Sequence, residues 1–279
     1  MAMRTSLHRT VSAAIFVIGL SLVPAVGYAQ GPCPMANFTP DEKFTSSFMA
    51  KKCKWTLKGG TPFFPLRPGW QTVLESEPDP FEGEPGEVAV VTVLKETRKV
   101  DGVRTRVVEE LAFEKDGDTR IPIERSLNFY AICEQTGSVF YFGEDSMELD
   151  PNGDVIATTG SWLAGVNGAK AGIIMPGTIL VGGGYYEEVA PSDSALDKAR
   201  IKAIHRGCEV GGFDLRQCVE TFNTSDCDLD AAEPKAYAAG IGNVKDQTLV
   251  LKSYGFSKKH RKGHRKGHRR GHRHGHNHH

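Results

Sequence analysis

The chain has 279 residues, of which 39% are hydrophobic and 24% charged, a composition that describes a globular protein and excludes a disordered one. Its formal net charge is zero, but the charges are segregated. Residues 257–279 carry nine Lys or Arg and no acid, and residues 1–29 carry two more arginines. The remaining 23 basic residues face all 34 acidic ones in residues 30–256, a net charge of about −11. This asymmetry predicts a basic tail whose role differs from that of the acidic domain.

Residues 1–29 are predicted to be a signal peptide. Arg4 and Arg9 precede an apolar run of the usual length, VSAAIFVIGLSLV, and small residues permit cleavage before Gln30. The run is shorter than the ~20 residues that a membrane span requires. No second stretch of the sequence could cross a bilayer, so the mature protein is expected to be secreted or periplasmic.

All six cysteines follow the predicted cleavage site. An even number of cysteines in an oxidising compartment predicts disulfides, and the lack of a CxxC motif argues against a thioredoxin-like site or a zinc ribbon. Cys33 and Cys53 flank a predicted helix, and Cys208 and Cys218 are placed symmetrically about a predicted turn, so we predict the pairs Cys33–Cys53 and Cys208–Cys218. This leaves Cys133–Cys227 as the third pair.

Residues 30–57 are interpreted as a preamble that precedes the main domain. The sequence of residues 39–42, Thr-Pro-Asp-Glu, matches a helix capping box with proline at the first helical position. Phe44 and Phe48 follow at helical spacing. These signals predict a short helix over residues 40–51, stapled at its two ends by the first disulfide.

Residues 58–256 are predicted to form one all-β domain, an antiparallel barrel or sandwich, because roughly a dozen short strand patterns alternate with turn signals. Its opening, residues 58–69, is rich in Gly and Pro and cannot form a regular helix. We expect this segment to insert Phe63, Phe64 and Leu66 into the domain.

Asp101-Gly102 separates two alternating runs, which predicts a hairpin with a two-residue turn. In its second arm an apolar set alternates with a charged set that includes Arg106 and Glu110, the pattern of a strand with one buried face. Residues 198–208 also alternate, although helical spacing fits as well, and we favour a strand. Gly211-Gly212 would then turn this strand into the next one.

The stretch 160–191 contains eight glycines between large apolar side chains. Glycine is needed where φ is positive or where two backbones approach closely, so a tightly turning part of the sheet is the favoured interpretation. The alternative is a loop that lines a binding cleft. The candidate cleft residues are Trp162, Tyr185, Tyr186 and Glu187. In a regular strand Glu187 and Glu188 would face opposite sides and could not act as a paired acid and base.

Four segments together resemble a group of exported bacterial β-rich proteins: FFPLRPG, LNFYAICEQTGSVFYFGED, GSWLAGVNGAKAGIIMP and KAYAAGIGNV. The resemblance covers residues 62–256 and implies export and β-architecture, but no particular activity and no catalytic residue. The chain departs from the group's pattern at Asn128-Phe129, where an Asp-Trp-like pair is expected, and at Cys133.

His205 is the one histidine within residues 30–256. A catalytic zinc site built on several histidines is therefore not available in the domain, and the sequence contains no nucleophile elbow, P-loop or dinucleotide fingerprint. An enzyme would have to rely on carboxylates and tyrosines. The alternative hypothesis is accordingly a secreted hydrolase or lyase with a cleft around residues 162–188.

An acidic loop lies near the end of the domain. Its alternating carboxylates could wrap a calcium ion, although the EF-hand pattern is broken because Ala231 replaces the required glycine. The possible calcium ligands are Asp226, Asp228, Asp230 and Glu233.

Residues 257–279 are predicted to be a disordered tail, because they contain almost nothing to bury. Neutral imidazoles on a flexible chain can converge on Cu²⁺, Ni²⁺ or Zn²⁺, while nine cations could bind an anionic cell-surface polymer; nucleic acid is not expected as the physiological partner. The favoured function is a non-enzymatic exported binding protein whose tail captures metal ions, anionic surfaces or both. The candidate metal ligands are His260, His264, His268, His272, His274, His276, His278 and His279.

Overall fold

The computed structural model of the chain describes residues 38–79, 81, 83–228 and 231–257. The predicted signal peptide, Cys33 and all the histidines of the predicted tail lie outside these residues. The described chain is all-β, as the sequence predicts. Its strands are β1 (Trp55–Thr56), β2 (Trp70–Glu75), β3 (Glu87–Val100), β4 (Val103–Asp116), β5 (Thr119–Cys133), β6 (Val139–Leu149), β7 (Val155–Ala157), β8 (Trp162–Leu163), β9 (Lys170–Met175), β10 (Gly184–Tyr186), β11 (Glu188–Val189), β12 (Asp197–Val210), β13 (Phe213–Ser225), β14 (Glu233–Ala238), β15 (Gly242–Asp246) and β16 (Leu249–Phe256).

Thirteen of these strands form a nearly closed antiparallel barrel in the order β10-β12-β13-β14-β15-β16-β2-β3-β4-β5-β6-β9-β11. The two ends of this order belong to one short stretch of chain. β10 pairs with β12, and β11, which begins two residues after β10 ends, pairs with β9. The glycine-rich stretch therefore closes the barrel, and of the two predicted architectures the barrel is correct.

The β3–β4 hairpin forms where Asp101-Gly102 predicts it. Both turn residues have positive φ, 45° and 78°, the conformation of a type I′ turn that matches strand twist. Farther along, three residues of β3 bulge out of register between Val93 and Thr97. The Arg106 guanidinium fills this bulge and donates to the carbonyl of Lys95 at 2.7 Å, so this arginine is buried rather than on a solvated face.

The segment before β2, residues 58–69, forms a plug that inserts apolar side chains into the domain, as the sequence predicts. Phe63 and Leu66 are buried, and Phe64 packs edge-on against Tyr130 with ring centroids 5.0 Å apart. Directly after the plug, Trp70 at the start of β2 donates from its indole nitrogen to the carbonyl of Ile241 in the β14–β15 turn at 2.9 Å.

The predicted helix over residues 40–51 is wrong: this part is extended and turned, with one 3₁₀ turn at Ala50–Lys52. Tertiary contacts override the capping signal. The Thr45 backbone bonds to Gly184 and Tyr186 of β10, and Phe48 packs edge-on against Phe140. The preamble is therefore a strap that bonds to the edge of β10 opposite β12.

Two of the three predicted disulfide pairs are wrong. Cys208–Cys218 forms across the β12–β13 hairpin as expected, but Cys53 is bonded to Cys133, which excludes both Cys33–Cys53 and Cys133–Cys227. Cys227 is also disulfide-bonded, to a partner that is not among the described residues. The bond from Cys53 fixes the strap to the end of β5, while β1 pairs with the same strand end.

The disulfides indicate an oxidising compartment outside the cytoplasm. No free cysteine occurs in the described part of the chain. Within the same ranges, no helix is long and apolar enough to span a membrane.

Candidate functional site

The barrel encloses a cavity of about 100 Å³ in its interior. A buried water requires roughly 10–15 Å³ on this measure, so the space could hold several waters or a small organic molecule. Ten strands contribute to its wall, together with the plug and the corner between β10 and β11. The lining side chains are Phe64, Leu74, Ala89, Val91, Val108, Glu110, Asn128, Tyr130, Tyr141, Ile174, Glu187, Glu188, Asp197, Lys235, Tyr237, Asn243 and Asp246.

Three polar atoms of lining residues accept no hydrogen bond from any described residue. They are Oε1 of Glu187, Oδ1 of Asn243 and Oδ1 of Asp246. Glu187 and Asp246 are only 5% and 4% exposed. Buried polar atoms are normally hydrogen-bonded, and one without a partner costs about 1–3 kcal/mol. The wall of the cavity therefore contains three acceptor atoms for which the described chain supplies no donor.

The second carboxylate oxygens of the same residues are bound and hold the side chains in place. Asn223 donates to Oε2 of Glu187 at 2.7 Å. Oδ2 of Asp246 accepts from the Lys235 ammonium and from the Asn243 amide, both at 3.2 Å. Each carboxylate thus has one anchored and one open oxygen, an arrangement that orients the open acceptors before anything binds.

The carboxyl groups around the cavity resist ionisation. Burial raises the pKa of Glu187 and of Glu110 to about 8, with the charges of other carboxylates adding to the effect at both. Burial also raises the pKa of Asp246 to about 6, although the nearby Lys235 opposes this. At neutral pH the interior therefore contains both protonated and ionised carboxyl groups, which is the condition for acid–base chemistry.

Lys235 is the one basic side chain in the cavity wall. Its ammonium lies 3.3 Å from Glu233 and 3.2 Å from Asp246. Burial would lower the pKa of this lysine, but these two carboxylates raise it well above the usual value, so the side chain stays charged. Its charge also lowers the pKa of Glu187, Glu188 and Asp197, but it is one cation among five carboxyl groups in the wall.

Tyrosine rings form a second part of the wall. Tyr130 and Tyr141 stack with centroids 4.9 Å apart, and the Tyr141 hydroxyl donates to Asn128 at 2.6 Å. Phe64 covers the edge of this stack from the plug. The wall therefore offers aromatic surface beside carboxylate oxygens.

The structure separates the four predicted cleft residues. Glu187 lines the cavity, whereas Trp162 lies behind the wall, edge-on to Tyr141 at 5.3 Å. Tyr185 is buried in the core, and its hydroxyl makes no hydrogen bond with the described chain. Tyr186 lies on the other side of the sheet, where its hydroxyl donates to Asp226 and accepts from the Asp41 backbone.

The expectation that Glu187 and Glu188 face opposite sides is wrong, because both line the cavity. Glu187 lies in neither strand, so the corner between β10 and β11 breaks the alternation. Burial and the charges of Asp197 and Glu187 raise the pKa of Glu188 well above its usual value. The Trp162 indole faces Glu188 and lowers that pKa, but its N–H falls short of a hydrogen bond.

The residues of the predicted calcium loop have partners in the protein. Asp226 binds the Lys198 ammonium and the Tyr186 hydroxyl, and Glu233 binds Lys235. Asp228 also interacts with the rest of the chain, and Asp230 lies outside the described residues. Across the described ranges, no group of three His, Cys, Asp or Glu side chains is arranged to hold a metal ion. Calcium binding by this loop stays a prediction.

His205 is partly exposed on β12 and lies 3.0 Å from Glu220 across the hairpin, away from the cavity. The tail histidines lie outside the described residues, so their metal binding also stays a prediction.

Sequence reasoning missed most of the cavity wall. The alternation in β4 predicts Glu110 on the face opposite the apolar set, whereas Glu110 lines the cavity, and the sequence analysis identifies neither Asp246 nor Lys235 as a site residue. One signal was available: Lys235 and Tyr237 alternate with alanines in β14, so that a lysine and a tyrosine share one face of a strand whose other face is small.

Comparisons of the chain with protein-family models, with curated proteins and with solved structures found no match.

Proposed function

We propose that this protein binds a small molecule inside its β-barrel. The observation that supports the proposal is the set of open, buried acceptor atoms on Glu187, Asn243 and Asp246 around one cavity. A ligand that donates hydrogen bonds to these atoms would remove their desolvation cost and gain the apolar wall as well. We further propose that the protein acts in the periplasm or outside the cell, in line with its predicted signal peptide.

Native mass spectrometry of the purified mature protein tests this proposal. The native species should carry an added mass that is lost on denaturation. Ala89→Leu, which fills the cavity from β3, should abolish that mass. Ala203→Leu on the β12–β13 hairpin is the matched control and should retain it. Equal added mass in both variants, or none in the wild type, would contradict binding in the cavity.

The second candidate is catalysis in the same cavity, as in the hydrolase or lyase alternative. It is favoured by Glu187 and Glu110, because a carboxyl group with a pKa of about 8 can act as a general acid near neutral pH. Any molecule recovered from the wild type would be incubated with fresh enzyme and with Glu187→Gln. Chemical change with the wild type alone supports an enzyme, and no change with either supports a binding protein.

The basic His-rich tail is proposed as a separate binding element for Cu²⁺, Ni²⁺ or Zn²⁺, for an anionic cell-surface polymer, or for both. The proposal rests on the sequence of residues 257–279, which combines eight histidines with nine Lys or Arg. The resemblance to exported bacterial β-rich proteins is likewise a hypothesis drawn from sequence.

A further inference from the structure

We infer that the ligand of the cavity is a small organic cation, a primary ammonium or amidinium compound, held by the open carboxylate oxygens of Glu187 and Asp246. The inference rests on the proposed function, since it names the chemical class that the same cavity would take.

The hydrogen-bonding pattern of the cavity is one-sided. Its three unpartnered atoms, on Glu187, Asn243 and Asp246, are all oxygens, and all three are acceptors when the carboxyl groups are ionised. The orientation of Asn243 is fixed by its amide nitrogen, which donates to Asp246, so its oxygen is the atom left open. A primary ammonium has three N–H donors and no acceptor, which matches this pattern.

The charge of the wall points the same way. Five carboxyl groups and one ammonium line the cavity, and the ammonium of Lys235 is bound to Glu233 and Asp246. Without a further positive charge, such carboxyl groups must bind protons to remain buried. The raised pKa values of Glu187 and Glu110 describe this protonated state. An incoming cation would replace these protons and allow the carboxylates to ionise.

The shape of the wall favours an organic cation over a metal ion. No group of three acidic, His or Cys side chains in the described chain is arranged to coordinate a metal. Tyr130 and Tyr141 instead place aromatic surface beside the carboxylates, and aromatic faces attract ammonium and guanidinium groups. Leu74, Val108 and Ile174 complete an apolar side for a short carbon chain.

Matched pairs of probes test the charge of the ligand. Mono- and diamines of two to six carbons would be compared with alcohols and diols of equal length by isothermal titration calorimetry with the mature protein. We expect the best amine to bind at least tenfold more tightly than its alcohol. Titration in two buffers of different ionisation enthalpy should show release of about one proton per amine at pH 7, because binding ionises a carboxyl group.

Variants then locate the binding. Glu187→Gln keeps the side-chain oxygen that Asn223 contacts and should weaken the best amine at least tenfold, while Glu124→Gln should leave it unchanged. Glu124 is a suitable control because it is also a buried carboxyl with a raised pKa, but it does not line the cavity. Thermal unfolding of both variants checks that they fold.

Three results would overturn the inference. Equal or tighter binding of the alcohols would reject a cationic ligand but leave binding in the cavity intact. If Glu187→Gln binds the amine as tightly as the wild type does, the amine binds at a site other than the one proposed. Amines that do not bind while the native protein carries a neutral added mass, lost in Ala89→Leu, would reject the charge and support the proposed function.

Discussion

Glu187 is anchored at one oxygen and open at the other, and this asymmetry explains both its position and its titration. Asn223 holds Oε2, while Oε1 accepts no hydrogen bond from the described chain. A carboxylate in this position is poorly solvated, so burial raises its pKa to about 8 from the usual 4.5. The residue therefore links the stability of the empty barrel to pH.

We predict that the ligand-free barrel loses stability as pH rises from about 4.5 to about 8. Below this window Glu187 is protonated in both the folded and the unfolded state, so its contribution is fully present. Within the window the unfolded chain releases the proton while the folded chain keeps it, and the free energy of unfolding falls by up to about 1.4 kcal/mol per pH unit for each such group. Glu110 acts in the same direction.

Glu187→Gln removes the group that keeps its proton in the folded state, so it should reduce this slope by up to about 1.4 kcal/mol per pH unit. Glu42→Gln, at an exposed carboxyl, should leave the slope unchanged. Guanidinium denaturation between pH 5 and 8, with the disulfides intact, measures the slope. An identical pH dependence in the wild type and in Glu187→Gln would show that Glu187 ionises normally in the folded barrel.

At the scale of the elements, barrel closure depends on one close backbone contact. A side-chain carbon on Gly172 of β9 would lie 2.2 Å from the carbonyl oxygen of Glu187 and 2.7 Å from that of Tyr186. Only glycine allows β9 to approach the corner between β10 and β11 this closely. The position of Glu187 therefore also depends on glycine at residue 172.

We predict that Gly172→Ala destabilises the protein by about 3 kcal/mol, because it overpacks a backbone contact that cannot yield, and that it weakens binding in the cavity. Gly207→Ala on β12 is the control, since its added carbon would meet only the Leu215 carbonyl, at 3.2 Å. Denaturation and amine titration of both variants provide the measurement. Equal stability of the two variants would mean that β9 can move without opening the barrel.

The elements that were predictable from sequence are those fixed by local chemistry. Asp101-Gly102 specifies its turn through positive φ, and the alternation of residues 198–208 specifies β12. The strap is the counterexample, because its capping signal is local while its partners on β10 and β6 are distant in sequence. Disulfide connectivity fails for the same reason, since Cys53 and Cys133 are 80 residues apart.

At the scale of the whole molecule, the polar interior limited what the sequence could reveal of the site. Alternation identifies β4 correctly as a strand, but assigning its charged residues to solvent reverses the side on which Glu110 lies. The remaining carboxyls come from separate strands that meet only when the barrel closes. Glu187 was predictable because it lies in the glycine-rich stretch that closes the barrel.

The charges of the whole chain are distributed unevenly, because the domain is acidic and the His-rich tail is basic. We predict that pH separates the two proposed activities of the tail. Imidazoles coordinate metal only when neutral, so Cu²⁺, Ni²⁺ or Zn²⁺ should bind at pH 7.5 and be released as pH falls through about 6.5. Polyanion binding should tighten at pH 5.5, where protonation of eight histidines raises the charge of the tail from about +9 towards +17.

Salt and truncation complete this test. Binding of heparin, used as the polyanion probe, should weaken steeply with salt because each neutralised charge releases counterions, whereas metal affinity should change far less. A variant truncated after Phe256 retains every strand of the barrel, so it should fold and lose both activities. Titrations of full-length and truncated protein at both pH values provide the measurement. If the truncated protein binds metal as tightly as the full chain, the site lies in the barrel domain, and the loop that contains Asp226 and Asp228 becomes the first place to examine.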